Sequence, residues 1–202
     1  MKIVLLNGSP RSDGNTQSML NELEAHMLNY SADNTDIKIV QVSQLLEELD
    51  TPYCTACSNP CQGNCYEDTR LEKLITSLSE VDGLVAASPV YFGTVSAQLK
   101  SFWDLTRTVR GNESLLYTVG AAIAVGGGRF GGQETTLRAI HDMMFIHGML
   151  LVGDSCTGNM GHQGPVAQQP FEKDDNAKTR LEVLAQSVVE TAAATRRLRS
   201  KK

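Results

Sequence analysis

The sequence contains no long hydrophobic run. Its first apolar stretch, Ile3 to Leu6 in MKIVLLNGSPRS, is short, whereas a helix needs about 20 apolar residues to cross a bilayer. A secretory signal also needs a longer apolar region and a cleavage site. We therefore expect a cytoplasmic protein without a membrane segment.

An excess of positive charge is also absent. The chain has 18 Lys and Arg against 23 Asp and Glu, a net charge of −5, whereas a nucleic-acid-binding surface needs a basic face. One basic run, RRLRSKK at 196–202, is interpreted as the solvated end of a helix, where cations meet the negative pole of the helix dipole. We expect no nucleic-acid partner.

The sequence also lacks the low hydrophobic content that is typical of a disordered chain. Hydrophobic residues make up 41% and charged residues 20% of the 202 residues, which is ordinary for a soluble globular protein. This length suits one α/β domain with a full core. We predict a single domain over residues 1–202, with a cysteine-rich loop at 50–67.

The sequence does contain short apolar runs that alternate with helical patterns. The apolar runs predict strands at 2–6, 36–42, 83–88, 117–125 and 149–154. Several are almost continuously apolar, as in parallel strands that are covered on both faces. The alternation predicts a doubly wound parallel sheet, and five strands favour the flavodoxin-like order 2-1-3-4-5.

A loop rich in Gly, Ser and Asn, NGSPRSDGNT, follows the first predicted strand and opens a helix. A helix N-terminus offers free backbone N–H groups and a positive dipole end to an anion. The loop is neither a Walker A motif nor a dinucleotide fingerprint, and the alternative is a simple turn capped by Asn15 or Thr16. We predict a phosphate-monoester site whose polar side chains are Ser9, Arg11, Ser12, Asn15 and Thr16.

Three segments together resemble the NADPH-dependent FMN reductase group of flavodoxin-like proteins. They are GSPRSDGNT, SPVYFGTVSAQLKSFWDLT and GGGRFGGQETTL, and the resemblance runs from Met1 to about Asp154. It implies that FMN is the cofactor and that the first loop binds its phosphate. It also implies that five residues after the third strand lie along the isoalloxazine ring, where apolar contacts and backbone amides suit a flavin: Pro89, Val90, Tyr91, Phe92 and Gly93. The alternative for the two aromatic residues is an ordinary core position.

The glycine segment after the fourth predicted strand has two interpretations. Gly126, Gly128 and Gly131 satisfy the Gly-x-Gly-x-x-Gly pattern, which alone predicts NAD binding. Only one more strand follows, however, so a two-halved dinucleotide fold cannot be built around it. The resemblance instead makes this segment, with Gly127 and Gly128, a second wall of the flavin site.

Four of the five cysteines lie in the stretch YCTACSNPCQGNC. Stable disulfides are disfavoured in the cytosol, and zinc sites usually present two separated ligand pairs. Four thiolates in one compact loop suit a 4Fe–4S cluster, and iron–sulfur flavoproteins, a subset of the resembled family, carry a differently spaced cysteine motif in this region. The cluster is favoured over zinc and over plain or redox-active thiols, and we expect it beside the flavin, with the ligands Cys54, Cys57, Cys61 and Cys65.

The predicted function is that of an FMN-dependent oxidoreductase. The resemblance implies an iron–sulfur flavoprotein that passes electrons between NAD(P)H or a ferredoxin-like partner, FMN, the cluster and a small-molecule acceptor, with no obligatory acid–base residue. Alternatives are a flavodoxin-like electron carrier, a zinc-stabilised binding module without turnover, and a cluster-free NAD(P)H:quinone or FMN reductase. The resemblance also implies a homodimer or homotetramer, in which the long segment at 155–175 covers a neighbouring subunit.

Overall fold

The computed structural model describes residues 1–31 and 34–199. The last three residues of the basic run lie outside these ranges. The strands are β1 Lys2–Asn7, β2 Asp36–Gln41, β3 Gly83–Pro89, β4 Val119–Gly126, β5 Leu150–Leu151 and β6 Val166–Gln168. The helices are α1 Asn15–Tyr30, α2 Val42–Leu46, α3 Arg70–Ser77, α4 Ala97–Leu105, α5 Arg107–Gly111, α6 Gln133–Ile146 and α7 Asp175–Arg199.

The strands form a parallel sheet in the order β2-β1-β3-β4-β5, with β6 also paired to β4. The predicted flavodoxin-like order is therefore confirmed. Every residue of β3 and β4 is buried, which explains why these two strands are so continuously apolar in sequence. None of the helices in the described ranges is both long and apolar enough to cross a bilayer.

Helices cover both faces of the sheet. On one face α1 packs against α7 and buries Met19, Leu20 and Leu23 against Leu181 and Leu184. The other face is covered by the remaining helices, in a cluster that includes residues of α2, α3, α4 and α6. The carboxyl ends of the strands meet at one edge of the sheet, where ligands bind in folds of this type.

The fifth strand position differs from the prediction. A continuous strand at 149–154 was expected, but β5 pairs with the start of β4 and β6 with its end. Residues 152–165 separate β5 from β6. This segment leaves the sheet because the buried carboxylate of Asp154 accepts the backbone N–H of His162 (2.8 Å) and is paired with Arg180. The chain therefore turns away and returns to the same sheet position.

The return of the chain also places the second half of the 155–175 segment in the fold of the subunit. Val166–Gln168 belongs to the sheet, and Phe171 is buried in the core beside α1. These residues are part of the subunit itself, whereas Met160, earlier in the segment, is almost fully exposed; that the segment covers a neighbouring subunit stays a prediction. A strand of three residues is too short to produce a recognisable pattern of alternation.

Candidate functional site

Loop 1 (residues 8–14) joins β1 to α1 and is packed tightly against β3 and α4. The Gly8 N–H donates to the Ala87 carbonyl at 2.8 Å, and the Ser96 hydroxyl donates to the Gly8 carbonyl. A Cβ atom at Gly8 would lie 2.8 Å from the Ala87 oxygen and 2.8 Å from the Leu99 Cβ. Only glycine fits at this close approach.

Side chains curl loop 1 and leave the start of α1 uncapped. The Asn7 carboxamide oxygen accepts the Ser9 N–H (2.9 Å), and the Ser9 hydroxyl accepts the Arg11 N–H (3.1 Å). The helix N-cap is Gly14, without a side-chain hydrogen bond, and Asn15 instead accepts the N–H of Phe171 (2.8 Å). The alternative of a turn capped by Asn15 or Thr16 is therefore wrong, and no side chain caps the first turn of α1.

Loop 2 (residues 90–93) is a tight turn that presents two aromatic rings. Tyr91 and Thr94 exchange both backbone hydrogen bonds, at 3.0 and 3.2 Å. The φ angles of Phe92 (50°) and Gly93 (78°) are both positive, as a type I′ turn requires. Phe92 is fully exposed and Tyr91 is partly exposed, so the alternative that they are core aromatics is wrong. A phenylalanine in this conformation costs about 1 kcal/mol or more.

Loop 3 (residues 127–132) is held by one buried side chain, Gln133. Its amide oxygen accepts the Gly131 N–H (2.9 Å), and its amide nitrogen donates to the carbonyls of Gly128 (2.6 Å) and Ala167 (3.3 Å). Loop 3 also packs on loop 2, because a Cβ atom at Gly132 would lie 2.8 Å from the Gly93 Cα. The two loops therefore form one wall.

The segment after β6 connects the loops and was not identified from sequence. The Gln169 N–H donates to the Gly126 carbonyl (2.9 Å), and two residues later Phe171 reaches Asn15 at the start of α1. Ser96, which bonds Gly8, was also missed. The sequence is compatible with Ser96 as a helix cap, since its side chain accepts the N–H of Leu99, but it does not predict the contact of Ser96 with loop 1.

The cysteine segment (residues 54–65) contains four free thiols. Cys54 and Cys61 are half-buried, while Cys57 and Cys65 are exposed. Burial raises the pKa of the Cys65 thiol, and the neighbouring thiols Cys61, Cys57 and Cys54 raise it further. The other three thiols therefore lie within electrostatic reach of Cys65.

The donor chemistry of this segment fits an iron–sulfur cluster, since thiolates are the ligands that such clusters take. Within residues 1–31 and 34–199, however, no group of three or more His, Cys, Asp or Glu side chains is arranged to hold a metal ion. The sulfur atoms are thus available in one segment but do not converge on a common centre.

The cysteine segment lies at the far end of α4 from loop 2. The Tyr66 hydroxyl, at the end of the segment, bonds the Thr108 hydroxyl on α5 at 2.6 Å. Cys54 borders a cavity of about 440 Å³, the α5 cavity, which is lined by Cys54, Ala56, Trp103, Asp104, Thr106, Arg107, Arg110, Ile146 and His147. Cys54 therefore lies beside the end of α4 and beside α5, whereas loop 2 precedes the start of α4, and the position of the segment beside the flavin stays a prediction.

Two buried polar atoms at the α5 cavity have no hydrogen-bond partner in the described chain: Trp103 Nε1 and His147 Nδ1. The Thr106 hydroxyl donates to the Trp103 carbonyl (2.7 Å), so we assign the proton of His147 to Nε2, which lies 3.0 Å from that hydroxyl oxygen. Burial, and to a smaller extent the charge of Arg110, lower the pKa of His147 to about 4. The imidazole is therefore neutral, with an unused acceptor at Nδ1.

The sheet order and the loops at its carboxyl edge define a flavodoxin-like protein. A flavodoxin from the domain Archaea superposes with a TM-score of 0.60 at 16% identity, covering 96% of this chain and 99% of that one. The apo form of an NADH:FMN oxidoreductase gives 0.68 at 18% identity, covering 96% and 89%. These similarities concern the fold.

Sequence comparison narrows the class to a family. Residues 1–163 match the family described as NADPH-dependent FMN reductase. An iron–sulfur flavoprotein of Methanocaldococcus jannaschii is 40% identical over 157 residues, 77% of each chain, and one of Methanosarcina thermophila is 36% identical over 177 residues, 86% of each chain. The chain belongs to the NADPH-dependent FMN reductase family and is a flavin-dependent oxidoreductase.

Proposed function

We propose that this protein is an iron–sulfur flavoprotein that binds FMN at loops 1, 2 and 3 and a 4Fe–4S cluster at the cysteine segment. It transfers electrons between NAD(P)H or a ferredoxin-like donor and a small-molecule acceptor. The observation that carries the proposal is the combination of four free thiols in one segment with relatives named iron–sulfur flavoproteins that align over most of the chain.

The FMN phosphate is assigned to loop 1. The uncapped first turn of α1 offers backbone N–H groups and a positive dipole end, and Arg11 is exposed and able to bind phosphate oxygens with its guanidinium. The other polar residues assigned to the phosphate lie near Arg11 in the sequence: Ser9, Ser12, Asn15 and Thr16. Ser9 and Asn15 use one oxygen each to shape the loop.

The isoalloxazine ring is assigned to the wall made by loops 2 and 3. Pro89 to Gly93 supply the exposed aromatic rings and the backbone of a fixed turn. Gly128 has open space where a side chain would be, so its backbone can approach a ligand closely; Gly127 precedes it. When bound, FMN supplies hydride and one-electron transfer.

The four cysteine thiols are assigned to the cluster, which supplies one-electron exchange when bound. Zinc is the alternative ligand of the same thiols. Anaerobically prepared protein should contain FMN, iron and sulfide, with a broad absorbance beneath the flavin bands. Stoichiometric zinc without iron would refute the cluster while leaving the flavin assignment standing.

The same preparation separates an enzyme from an electron carrier. NADH or NADPH should reduce the flavin and turn over with an added acceptor in the enzyme, and neither should do so in a carrier. If an acceptor is reduced in protein that contains FMN but neither iron nor zinc, the cluster-free quinone or FMN reductase is the better description.

The assembly proposed is a homo-oligomer. A depression of about 780 Å³ between α4 and α6 borders loop 2 and is lined mainly by apolar atoms, from residues that include Tyr91, Phe92, Val95, Ala139 and Met143. A second copy that covers this depression would also shield the proposed flavin site. A flavin-loaded, active monomer in light scattering would contradict this assembly.

The phosphate assignment has its own test. Arg11→Ala should weaken FMN binding about tenfold, because a hydrogen bond to a charged group contributes about 1.5–3 kcal/mol, but should leave riboflavin binding nearly unchanged. Thr16→Ala should act in the same direction. Arg138→Ala removes an exposed charge on α6 and serves as the control. Equal losses for FMN and riboflavin would disprove the assignment.

A further inference from the structure

We propose that the cation wall, made of Trp103, Arg107 and Arg110, raises the reduction potential of the cluster held by the cysteine segment. The inference rests on the proposed cluster. In this proposal the two arginines stabilise the reduced cluster by their positive charge, and the tryptophan stabilises it by donating its indole N–H.

The geometry brings the two arginines to one of the four thiols, that of Cys54. Arg107 and Arg110 are three residues apart on α5, so both lie on the same side of the helix, and both line the α5 cavity together with Cys54. The acidic residue on this cavity, Asp104, is already bound to Lys100, whose ammonium nitrogen lies 2.6 and 2.8 Å from the two carboxylate oxygens. The imidazole of His147 is neutral. Positive charge therefore dominates the lining of the α5 cavity, which Cys54 borders.

The tryptophan supplies a second, independent observation. Trp103 is 5% exposed, and its indole N–H has no hydrogen-bond partner in the described chain. A buried donor without an acceptor costs about 1–3 kcal/mol, so such a group is expected to have a partner in the working protein. Cys54 packs against the core cluster that contains Trp103, and hydrogen bonds to the sulfurs of a cluster tune its potential.

The redox step involves one electron and no bond cleavage. A low-potential one-electron donor, either a ferredoxin-like protein or dithionite in the test, is oxidised as the cluster gains one negative charge. Nearby cations interact more favourably with the more negative state, and hydrogen bonds to the sulfurs favour it in the same way. Removing the cation wall should therefore make the cluster harder to reduce.

The experiment is a dithionite titration of the anaerobically purified, full-length protein, followed by the electron paramagnetic resonance signal of the reduced cluster. In the double variant Arg107→Gln, Arg110→Gln, we expect the ratio of reduced to oxidised cluster at a fixed potential to fall about threefold to tenfold, tenfold being about 59 mV for one electron. Trp103→Phe should lower the ratio by less. The flavin potential, measured in the same samples, should not change.

Two controls separate local from general effects. Arg196→Gln removes one positive charge from α7, on the opposite face of the sheet, and should leave the cluster potential unchanged. The double variant Arg107→Lys, Arg110→Lys keeps the charges and should stay close to the wild-type value. A shift in Arg196→Gln of half that of the arginine double variant or more would overturn the assignment, because the effect would then follow net charge and not the wall.

The failure of this inference is distinguishable from the failure of the proposed function. Iron and sulfide with an unchanged potential in the arginine double variant would overturn the cation wall alone, and an unchanged potential in Trp103→Phe would overturn the role of its N–H. Protein that contains zinc, or no metal, after anaerobic preparation would overturn the cluster and the wall together.

Discussion

The loop edge and the cysteine segment are organised in different ways. At the loop edge, loops 1, 2 and 3 are fixed by backbone hydrogen bonds, by Gln133 and by glycines at which an added Cβ atom would lie only 2.8 Å from a neighbouring atom. In the cysteine segment, two of the four thiols are exposed, and the segment is attached to α5 through Tyr66 and Thr108.

This difference separates a preformed site from one that its ligand must complete. A preformed site has already met the conformational cost of ordering its loops. Ligands that must be brought together couple metal binding to local folding, so the free energy of binding is partly spent on ordering the chain. The two halves of the proposed electron path should therefore respond independently to mutation.

The largest effect is expected from Cys61→Ser, which tests that independence. Iron and sulfide should fall at least tenfold, since the loss of even an outer partner of a metal ligand typically costs about 10–100-fold in affinity, while bound FMN should remain unchanged. Metal analysis and the visible spectrum of anaerobic protein measure both quantities. Cys156→Ser, an exposed free cysteine outside the segment, is the control. Loss of FMN together with iron would show that the two regions are coupled.

The next effect concerns the buried imidazole beneath the cysteine segment. The pKa of His147 is lowered from 6.5 to about 4 by burial and by Arg110, so the folded state binds fewer protons than the unfolded state. The resulting stability is present above pH 6.5 and is lost as the pH falls from about 6.5 towards 4, by at most about 3 kcal/mol.

Urea unfolding near neutral pH and at about pH 4.5 measures this loss. The experiment is best done in cluster-free Cys61→Ser protein, because loss of a cluster in acid then cannot change the measured free energy of unfolding. His147→Gln should flatten the pH dependence, while His162→Gln, at an exposed position, should leave it as it is. An unchanged profile in His147→Gln would show that the imidazole is not the group responsible.

A smaller effect is expected at the loop edge from Gly8→Ala. The added Cβ would collide with the Ala87 carbonyl oxygen and the Leu99 Cβ, each at 2.8 Å, and neither atom is the flexible end of a side chain. Overpacking of this kind costs about 1–3 kcal/mol. Urea unfolding compares it with Gly111→Ala, whose added Cβ meets nothing within 4 Å. Equal stability of both variants would mean that loop 1 is not rigidly packed.

The smallest effect is a gain of stability from Phe92→Asn. Asparagine tolerates the left-handed conformation that Phe92 adopts at a φ of 50°, and the fully exposed ring loses no burial. We expect a gain of about 0.5–1 kcal/mol. Phe130→Asn, at an exposed position outside the left-handed region, should bring no such gain. If both variants gain equally, strain in loop 2 is not the cause.

Much of the fold could be predicted because it depends on local patterns. The buried strands β3 and β4 are apolar throughout, and the order of the sheet follows from the number of strands and the handedness of their connections. The division of the fifth strand position could not be predicted, because it depends on a buried pair between Asp154 and Arg180, residues that the sequence separates widely. The role of Gln133 was also missed: two of its hydrogen-bond partners, Gly128 and Gly131, are close in sequence, but the third, Ala167, is brought to it only by the return of the chain at β6.

The sequence by itself determined the class of sheet, the glycine-rich loop after β1 and the grouping of four cysteines in one segment, since each of these is a property of neighbouring residues. Only the tertiary structure decided that loops 2 and 3 form one wall, that the chain returns at β6 to bridge Gly126 and Asn15, and that the cysteine segment packs on α5 at the far end of α4 from loop 2. The physical reason is that these arrangements depend on contacts between distant parts of the chain, which arise when the helices pack on the sheet and which no local pattern of residues encodes.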